Sequence, residues 1–573
     1  MRSWLKNKIN EFYPDIDFDV LTPPDEKMGD YSVNLAFVLA KKEGGNPREI
    51  GKELVIKLLN SEEFKKYFDK IELAGNGFIN FYLSYEFLQK KLVEISSDKD
   101  YGQSAEGRGR KVIVEYSSPN IAKPMHIGHL RSTIIGDALA NVYENLGYKV
   151  VRWNFIGDWG TQFGKIIAAR KGQVSYKFKK AFPIFKNFGP NDTVSSMLGM
   201  YVDFSKKEKQ NPELEEKARL EFKKLENKDE EDWELWGKYR NISLTEFKKV
   251  YSEININFEK MIVKGESDYE PELKKVIEEL KKKGLVKESE GALIIELDNL
   301  PPAMLRKSDG ATLYITRDIA SLEDRIKNYH ANKILYVVAN QQALHFEQLF
   351  AIAKKLGWIN AELVHVKFGM VLGEDGKKLA TREGKVVPLQ EVIDRLNDLA
   401  FKTVKEKTPN LNEEEAQKIA RVVSIGALKY NDLKQHPYSD ITFDWKAMLD
   451  LSGNSGPYIQ YTYARLASIL NKAGKYEADD LSMLSEPVSR TLMRHLLDFP
   501  EIIVESARLN TLNGLALYLY ELAHRANQFY EQVRILEDEN ISRRNVRLLL
   551  VETTASVLKR GLNLLGIETL ERI

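Results

Sequence analysis

Lys111-Val112-Ile113-Val114-Glu115-Tyr116-Ser117-Ser118-Pro119-Asn120-Ile121-Ala122-Lys123-Pro124-Met125-His126-Ile127-Gly128-His129-Leu130-Arg131-Ser132 is the stretch on which the fold turns. The β-branched Val112, Ile113 and Val114 follow a polar, Gly-rich joint that runs from Asp100-Tyr101-Gly102 to Gly107-Arg108-Gly109. That pattern predicts a buried parallel strand over 111–116 and a domain boundary near 105. A loop comes next, then a helix-period segment from about His126 to Leu146, then Gly147 and a second strand, Lys149-Val150-Val151-Arg152-Trp153-Asn154. Strand, helix and parallel strand in succession make a βαβ unit, the opening of a doubly wound sheet.

Working outward, Ile334 to Val338 and Ala361 to Val366, with the helix Phe346 to Leu356 between them, predict a second βαβ unit. The two units are separated by an insertion from about 175 to 295, rich in charges of both signs, whose stretch from Lys206 to Glu231 reads as a solvated helical face. Residues 1–105, with a loop at Thr22-Pro23-Pro24-Asp25 and a β-favouring run at Gly77 to Leu83, predict a small α+β domain. From about Asn412 the chain is helical throughout, with loops at Gly453–Pro457, Lys475–Pro487 and Glu537–Ser542. The expectation is a multidomain α/β protein: an N-terminal α+β domain over 1–105, a Rossmann-like doubly wound domain over 106–410, and an all-α helical bundle over 411–573.

Composition bounds the function. A chain of 573 residues holds three or four domains at roughly 150 residues each, which excludes a miniprotein or a lone binding module. The absence of cysteine excludes disulfides, thiolate metal sites and a thiol nucleophile, and suits a reducing compartment. Lys plus Arg at 85 against Asp plus Glu at 84 leaves a net charge of +1, so no global field advertises nucleic acid. The N-terminal Met1 to Phe18 alternates charged and apolar residues, and no long apolar run occurs, so a soluble, cytoplasmic protein is expected, with no membrane partner.

The chemistry sits after the first strand. His126 and His129, three apart at a helix start, share one face where free backbone N–H groups and the helix dipole favour an anion. Gly128 between them lets a base or ribose approach, and Lys123 stands just upstream. Two histidines with no third ligand at metal spacing make a poor metal site, so none is expected. No Gly-x-Gly-x-x-Gly occurs, and Gly160-Thr161-Gln162-Phe163-Gly164-Lys165 is one residue short of a Walker loop. For RNA, the run of Arg170, Lys171, Lys177, Lys179, Lys180 and Lys186 is interleaved with Tyr176, Phe178, Phe182 and Phe185, a pattern for phosphates and stacked bases or equally for a solvated amphipathic face. Arg543, Arg544 and Arg547, with Tyr458, Tyr461 and Tyr463, are further candidates for a single-stranded loop.

The segment Ser118 to Arg131 resembles the first signature of the class I aminoacyl-tRNA synthetases in the form its arginyl branch carries. Gly157-Asp158-Trp159-Gly160-Thr161-Gln162-Phe163-Gly164, Tyr314-Ile315-Thr316-Arg317-Asp318, and Tyr336-Val337-Val338 through Gln342 to His345-Phe346 resemble the same branch. So do Gly29 to Asn34 and Gly75 to Asn80 near the N-terminus, and Phe443-Asp444-Trp445 with Gly453 to Tyr461 and Arg465 in the helical part. The resemblance implies an arginine–tRNA ligase using ATP with Mg2+ as substrate, tRNA(Arg) and arginine as partners, a monomer, and no tightly bound cofactor. It implies that tRNA must be bound before arginine is activated.

The second class signature, Lys-Met-Ser-Lys-Ser, departs here: by position it is Lys378-Leu379-Ala380-Thr381-Arg382, with Thr381 in place of the lysine held to stabilise the transition state. In the family pattern Lys123 takes over that charge, so Lys123, His126, His129 and Lys378 are the expected catalytic groups. His126, Gly128, His129, His345, Lys377 and Lys378 are expected at ATP. The resemblance assigns Glu115, Asn120 and Gln342 to the amino-acid end of arginine, and Tyr314, Asp318 and Glu266 to its guanidinium. The residues themselves leave Tyr314 open as a core aromatic and Asp318 as a helix N-cap. A synthetase for another amino acid, a nucleotidyltransferase and a silent RNA-binding relative are the rival readings.

Overall fold

The computed structural model describes residues 1–173, 192–308, 310–373, 376 and 387–572. Its centre is a five-stranded parallel sheet: β1 (Lys111–Glu115), β2 (Lys149–Ile156), β3 (Met261–Gly265), β4 (Lys333–Ala339) and β5 (Glu362–Phe368), in the order β5-β4-β1-β2-β3. Helix α1 (Ile127–Asn145) joins β1 to β2, and α7 (Ala343–Lys355) joins β4 to β5. The chain leaves β1 towards β2 on one side and returns to β4 on the other. The switch point therefore lies between the carboxyl ends of β1 and β4, where an open α/β sheet takes its ligand. The register places Glu115 opposite Trp153 on one side and Tyr336 on the other.

The expected insertion from about 175 to 295 requires a correction. β3 lies inside that span yet is the edge strand of the sheet, paired with β2 from Arg152↔Met261 to Ile156↔Gly265. A five-residue strand directly after a charged helix gives little periodic signal. Between β2 and β3 run α2 (Thr161–Ala168), α3 (Val194–Glu208), α4 (Glu213–Glu226) and α5 (Glu230–Glu253). After β3, an antiparallel meander of Lys287–Ser289, Ala292–Leu297 and Leu300–Arg306 precedes α6 (Tyr314–Lys327). The stretch read as a solvated face is half of one: α4 buries Leu214, Ala218 and Leu225 along one side, and Ala218 comes so close to α2 that a Cβ on Gly164 would meet its carbonyl oxygen at 2.1 Å.

The N-terminal part is a four-stranded antiparallel sheet, ordered Val20–Leu21, Tyr31–Val33, Phe78–Leu83, Phe68–Ala74, with helices that include Arg2–Phe12, Leu35–Glu43 and Pro47–Leu59. From Leu389 on, the chain is helical but for the pairing of Ile441–Thr442 with Val371–Leu372. Among these helices are α8 (Leu389–Lys407), α9 (Glu413–Leu433) and α10 (Gly456–Ala473), followed by helices up to Ile541–Leu564. One apolar cluster runs through all three parts, joining Phe81, Leu139 and Leu558. Among the described residues, no helix is long and apolar enough to cross a membrane.

Candidate active site

The loop from β1 to α1 is held in an uncommon backbone shape. Ser117, Ser118 and Ala122 have φ of 71°, 46° and 61°, a left-handed region that costs side-chain-bearing residues about 1 kcal/mol or more each. Buried bonds compensate: Ser117 N–H donates to Ser132 Oγ at 2.8 Å, Ser118 N–H to Asn154 Oδ1 at 3.2 Å, and Ala122 N–H to Ser243 Oγ on α5 at 3.0 Å. Pattern reading misses this strain, because nothing in serine or alanine announces it.

His126 is the N-cap of α1, and its Nδ1 accepts the Gly128 N–H at 3.1 Å. His129 Nδ1 accepts the His126 N–H at 3.1 Å, and the two rings lie 3.9 Å apart. Burial pushes the His129 imidazole down to about 3, and the neighbouring His126 ring adds to the shift, so His129 is neutral at physiological pH. With Nδ1 accepting a backbone proton, a neutral ring carries its own proton on Nε2. The expected cradle of free backbone N–H groups is thereby corrected. Ile127 N–H is bonded to Val387 O, Gly128 N–H to His126 and His129 N–H to His126 O. Gly128 is required by this arrangement, since a Cβ there would meet His126 Cε1 at 2.9 Å.

Lys123 is half-buried in the same loop and, among the described residues, makes no ion pair. Asn120 is exposed and forms a bridge to Gly157, where a Cβ would meet Asn120 Oδ1 at 2.0 Å. That contact explains the glycine opening the Gly157-Asp158-Trp159-Gly160 motif. Asp158 is fully buried, accepting from Arg240 Nε and from Ser267 N and Oγ, each at 2.9 Å. It thereby ties the end of β2 to the turn after β3.

On the other side of the switch point the carboxylates gather. Glu115 is buried and ion-paired with the buried Arg325 of α6, whose guanidinium lies 4.7 Å over the Trp153 ring and 5.2 Å over that of Tyr336. Burial raises the Glu115 carboxyl and Arg325 opposes this, so the residue expected at the substrate's amino group already holds a cation of the protein's own. Asp318 is in the second turn of α6, whose N-cap is Leu313, so the N-cap alternative is excluded. Its Oδ2 lies 2.6 Å from His345 Nε2. His345, expected at the nucleotide, thus turns one nitrogen to the acidic side and leaves Nδ1 for another partner. Burial lowers the His345 imidazole, but the Asp318 bond and charge outweigh it and the net shift is upward.

Glu266 follows β3. Burial pushes it up to about 8; Arg317 opposes the shift and Asp318, Asp158 and Glu270 add to it. Tyr314 is 67% exposed at the first turn of α6, which excludes the core alternative, and Gln342 is exposed just beyond β4. Glu115 and Glu266 are thus each raised in part by the charge of Asp318, which puts the three expected carboxyls within electrostatic reach of one another.

Other expectations fall elsewhere. Lys377, Lys378, Thr381 and Arg382 lie outside the described residues, as do Tyr176, Lys177, Phe178, Lys179, Lys180, Phe182, Phe185 and Lys186. Lys171 faces no phosphate: its ammonium is bonded to Asp232 at 2.5 Å, Glu221 at 2.8 Å and Glu231 at 3.2 Å. Arg547 is buried and paired with Glu486 and Asp538, Arg543 is part-exposed and paired with Asp538 at 2.5 Å, and Tyr463 is buried. Tyr461 is exposed. Arg131, which the sequence reading gave no role, is 1% exposed, its Nε 3.2 Å from both oxygens of Asp432 and its Nη1 2.9 Å from the carbonyls of Gly369 and Ser439. No motif rule finds it, because its partners are distant in sequence.

Comparison with known proteins is consistent from end to end. Residues 1–83 match the family described as arginyl tRNA synthetase N terminal domain, 91–445 match tRNA synthetases class I (R), catalytic domain, and 459–573 match the DALR anticodon binding domain. The chain is 40% identical to an arginine–tRNA ligase of Halothermothrix orenii, over 99% of this chain and 98% of that one. It is 39% identical to the arginine–tRNA ligase of Fusobacterium nucleatum, over 97% and 95%. Among solved structures, the arginyl-tRNA synthetase of Plasmodium falciparum superposes with a TM-score of 0.81 at 31% identity, covering 100% of this chain and 98% of that one. That of Thermus thermophilus gives 0.82 at 27% identity, with 100% of both chains covered.

Proposed function

From the premise that this chain belongs to the class I arginyl-tRNA synthetase family and is an arginine–tRNA ligase, we propose a role for each residue gathered at the switch point. A carboxylate oxygen of arginine attacks the α-phosphorus of ATP. The bond from that phosphorus to the bridging oxygen breaks, and pyrophosphate leaves with the electron pair. A hydroxyl of the terminal adenosine of tRNA then attacks the carbonyl carbon, and AMP leaves. No covalent enzyme intermediate is formed, so catalysis is positioning plus stabilisation of developing charge.

His126 and His129 aim Nε2–H donors at the phosphates, with Gly128 leaving room above them. Lys123 supplies the positive charge missing at Thr381, and Lys377 and Lys378 add to it from the second signature. His345 steadies Asp318 through Nε2 and turns Nδ1 to the nucleotide. Glu115, Asn120 and Gln342 take the amino-acid end of arginine, with Arg325 holding Glu115 in place. Tyr314, Asp318 and Glu266 take the guanidinium, whose planar fork suits paired carboxylates.

Magnesium enters with ATP, held by phosphate oxygens; the imidazole Nδ1 atoms already accept backbone protons and build no cage for it. The helical part after about 410 carries the anticodon loop of tRNA(Arg), the part before 105 contacts the tRNA body, and the enzyme works as a cytoplasmic monomer without an editing site.

One observation carries the substrate assignment: Glu266, raised to about 8 chiefly by burial and further by Asp318, Asp158 and Glu270 against the pull of Arg317, sits among carboxyls that a bound cation would offset. ATP–pyrophosphate exchange with each amino acid, with and without tRNA, tests it. Exchange with arginine alone, and only when tRNA is present, is expected; comparable exchange with lysine would remove the guanidinium assignment.

A further inference from the structure

The Lys123 Nζ lies 5.3 Å from the ring centroid of Tyr201, on α3, and is paired with no carboxylate among the described residues. We propose that Tyr201 is a positioning residue for adenylate formation, its ring face holding the Lys123 ammonium at the reacting phosphates without neutralising it. The inference rests on the reading of Lys123 as the cation that replaces the one missing at Thr381.

A lysine used in this way presents a physical problem. Its long side chain loses about 2 kcal/mol of rotamer freedom when fixed, so something must hold it. A carboxylate would do so, but it would also cancel the charge that the departing pyrophosphate needs. An aromatic face attracts the ammonium through its quadrupole and leaves the full positive charge available.

The surroundings of Tyr201 separate these two kinds of partner. Lys165, on α2, also lies near the ring, at 6.0 Å, but its Nζ is paired with Glu208 at 2.5 Å. Tyr201 and Glu208 are two turns apart on α3, hence on one side of it. That side offers a carboxylate to Lys165 and a ring to Lys123. The backbone is held by the same inserted segment, because the buried Ser243 of α5 accepts the N–H of Ala122, the residue next to Lys123, at 3.0 Å. The helices between β2 and β3 thus grip the catalytic loop at both main chain and side chain, which gives the insertion a part in the chemistry.

The test is single-turnover formation of arginyl-adenylate by the full-length enzyme with tRNA bound, for Tyr201→Leu, Tyr201→Met, Tyr201→Phe, Lys123→Ala and the Lys123→Ala/Tyr201→Leu pair. Losing a partly desolvated cation–π contact predicts a first-order rate about 5- to 20-fold lower in Tyr201→Leu and Tyr201→Met, with KM for ATP and arginine unchanged. Tyr201→Phe, which keeps the ring, should restore the rate. Adding Tyr201→Leu to Lys123→Ala should cost nothing further, since the ring then has no ammonium to hold.

Equal losses in the Phe and Leu variants would overturn the inference in favour of the hydroxyl. The same factor lost with and without Lys123 would reduce Tyr201 to packing, and full rates in both aliphatic variants would remove it altogether. A Lys123→Ala enzyme running at the full rate is a distinct result: it overturns the role of Lys123 itself, whatever Tyr201 does.

Discussion

Lys123 and Arg131 flank the start of α1, within the same signature, and the fold treats them in opposite ways. Arg131 is sealed between the catalytic sheet and α9, facing Asp432 and the carbonyls of Gly369 and Ser439. Among the described residues, Lys123 meets a ring face and no carboxylate. The same division recurs across the molecule. At the seam between the N-terminal sheet and the helical part, Arg490 and Arg494 are bound to Asp30 and Asp498, and the buried Lys429 donates to Asn255 O at 3.3 Å and Gly566 O at 2.7 Å. At the switch point, by contrast, Tyr314 and Gln342 are exposed, and Lys123 makes no ion pair among the described residues. A cation's part in this chain follows from what already satisfies it rather than from its place in a motif.

The sharpest way to break that comparison is Arg131→Ala. It leaves Asp432, which burial already raises against the pull of Arg131, as a buried carboxyl without its cation. A stability loss of about 3–5 kcal/mol is expected, read by urea unfolding. Unchanged stability with lost adenylation would place Arg131 among the reacting groups and dissolve the distinction.

Lys123→Ala is the reverse case. Stability should hold within about 0.5 kcal/mol, since among the described residues the lysine has a single ring contact and no ion pair to lose. Single-turnover adenylate formation should fall on the order of 10²-fold, the scale of removing one preorganised electrostatic donor. A raised arginine KM with an intact chemical step would assign the lysine to ground-state binding instead.

These two residues also show what the sequence could tell. The βαβ units and the His126–His129 pair at a helix start follow from local periodicity and spacing, and the sheet sets that helix start beyond the carboxyl end of β1. β3 escaped because an edge strand of five residues among charged helices has almost no pattern of its own. The partners escaped for a different reason. Arg325 on Glu115, Asp432 on Arg131 and Tyr201 beside Lys123 are contacts between segments 78 to 301 residues apart, and no window along the chain contains both members. Side-chain donor logic also failed at the start of α1, where the imidazoles take up backbone protons that were expected to be free.

Within the proposed arginine pocket the comparison can be sharpened by charge alone. Asp318→Asn keeps the shape and the contact with His345 but removes an ionised acceptor for the guanidinium. ATP–pyrophosphate exchange with arginine should drop roughly 30-fold in kcat/KM, as expected for a charge-assisted bond reduced to a neutral one. Undiminished exchange would place Asp318 outside the pocket and leave its role as the partner of His345.

The smallest effect is the most specific to the pocket. With its carboxyl pushed up to about 8, Glu266 is largely protonated at pH 7 in the free enzyme and cannot pair with a guanidinium. Burial sets this first; Arg317 on α6 opposes it, and Asp318 on α6, Asp158 beyond β2 and Glu270 just after Glu266 add to it. Between the ordinary value of 4.5 and about 8 the folded chain holds a proton that the unfolded chain has released, so this group lowers stability as pH rises through that window. Arginine reverses the balance: its cation favours the ionised form, so binding expels the proton and strengthens as pH rises through 8. The arginine KM should therefore fall about 3- to 10-fold from pH 7 to 8.5, bounded by tenfold per pH unit for one linked proton. Calorimetry in buffers of different ionisation enthalpy should detect one proton released per arginine near pH 7. Glu266→Gln should flatten both signals while leaving the KM for ATP unchanged; if the pH dependence survives that substitution, the proton belongs to another carboxyl of the pocket, and Glu115 is the next to replace.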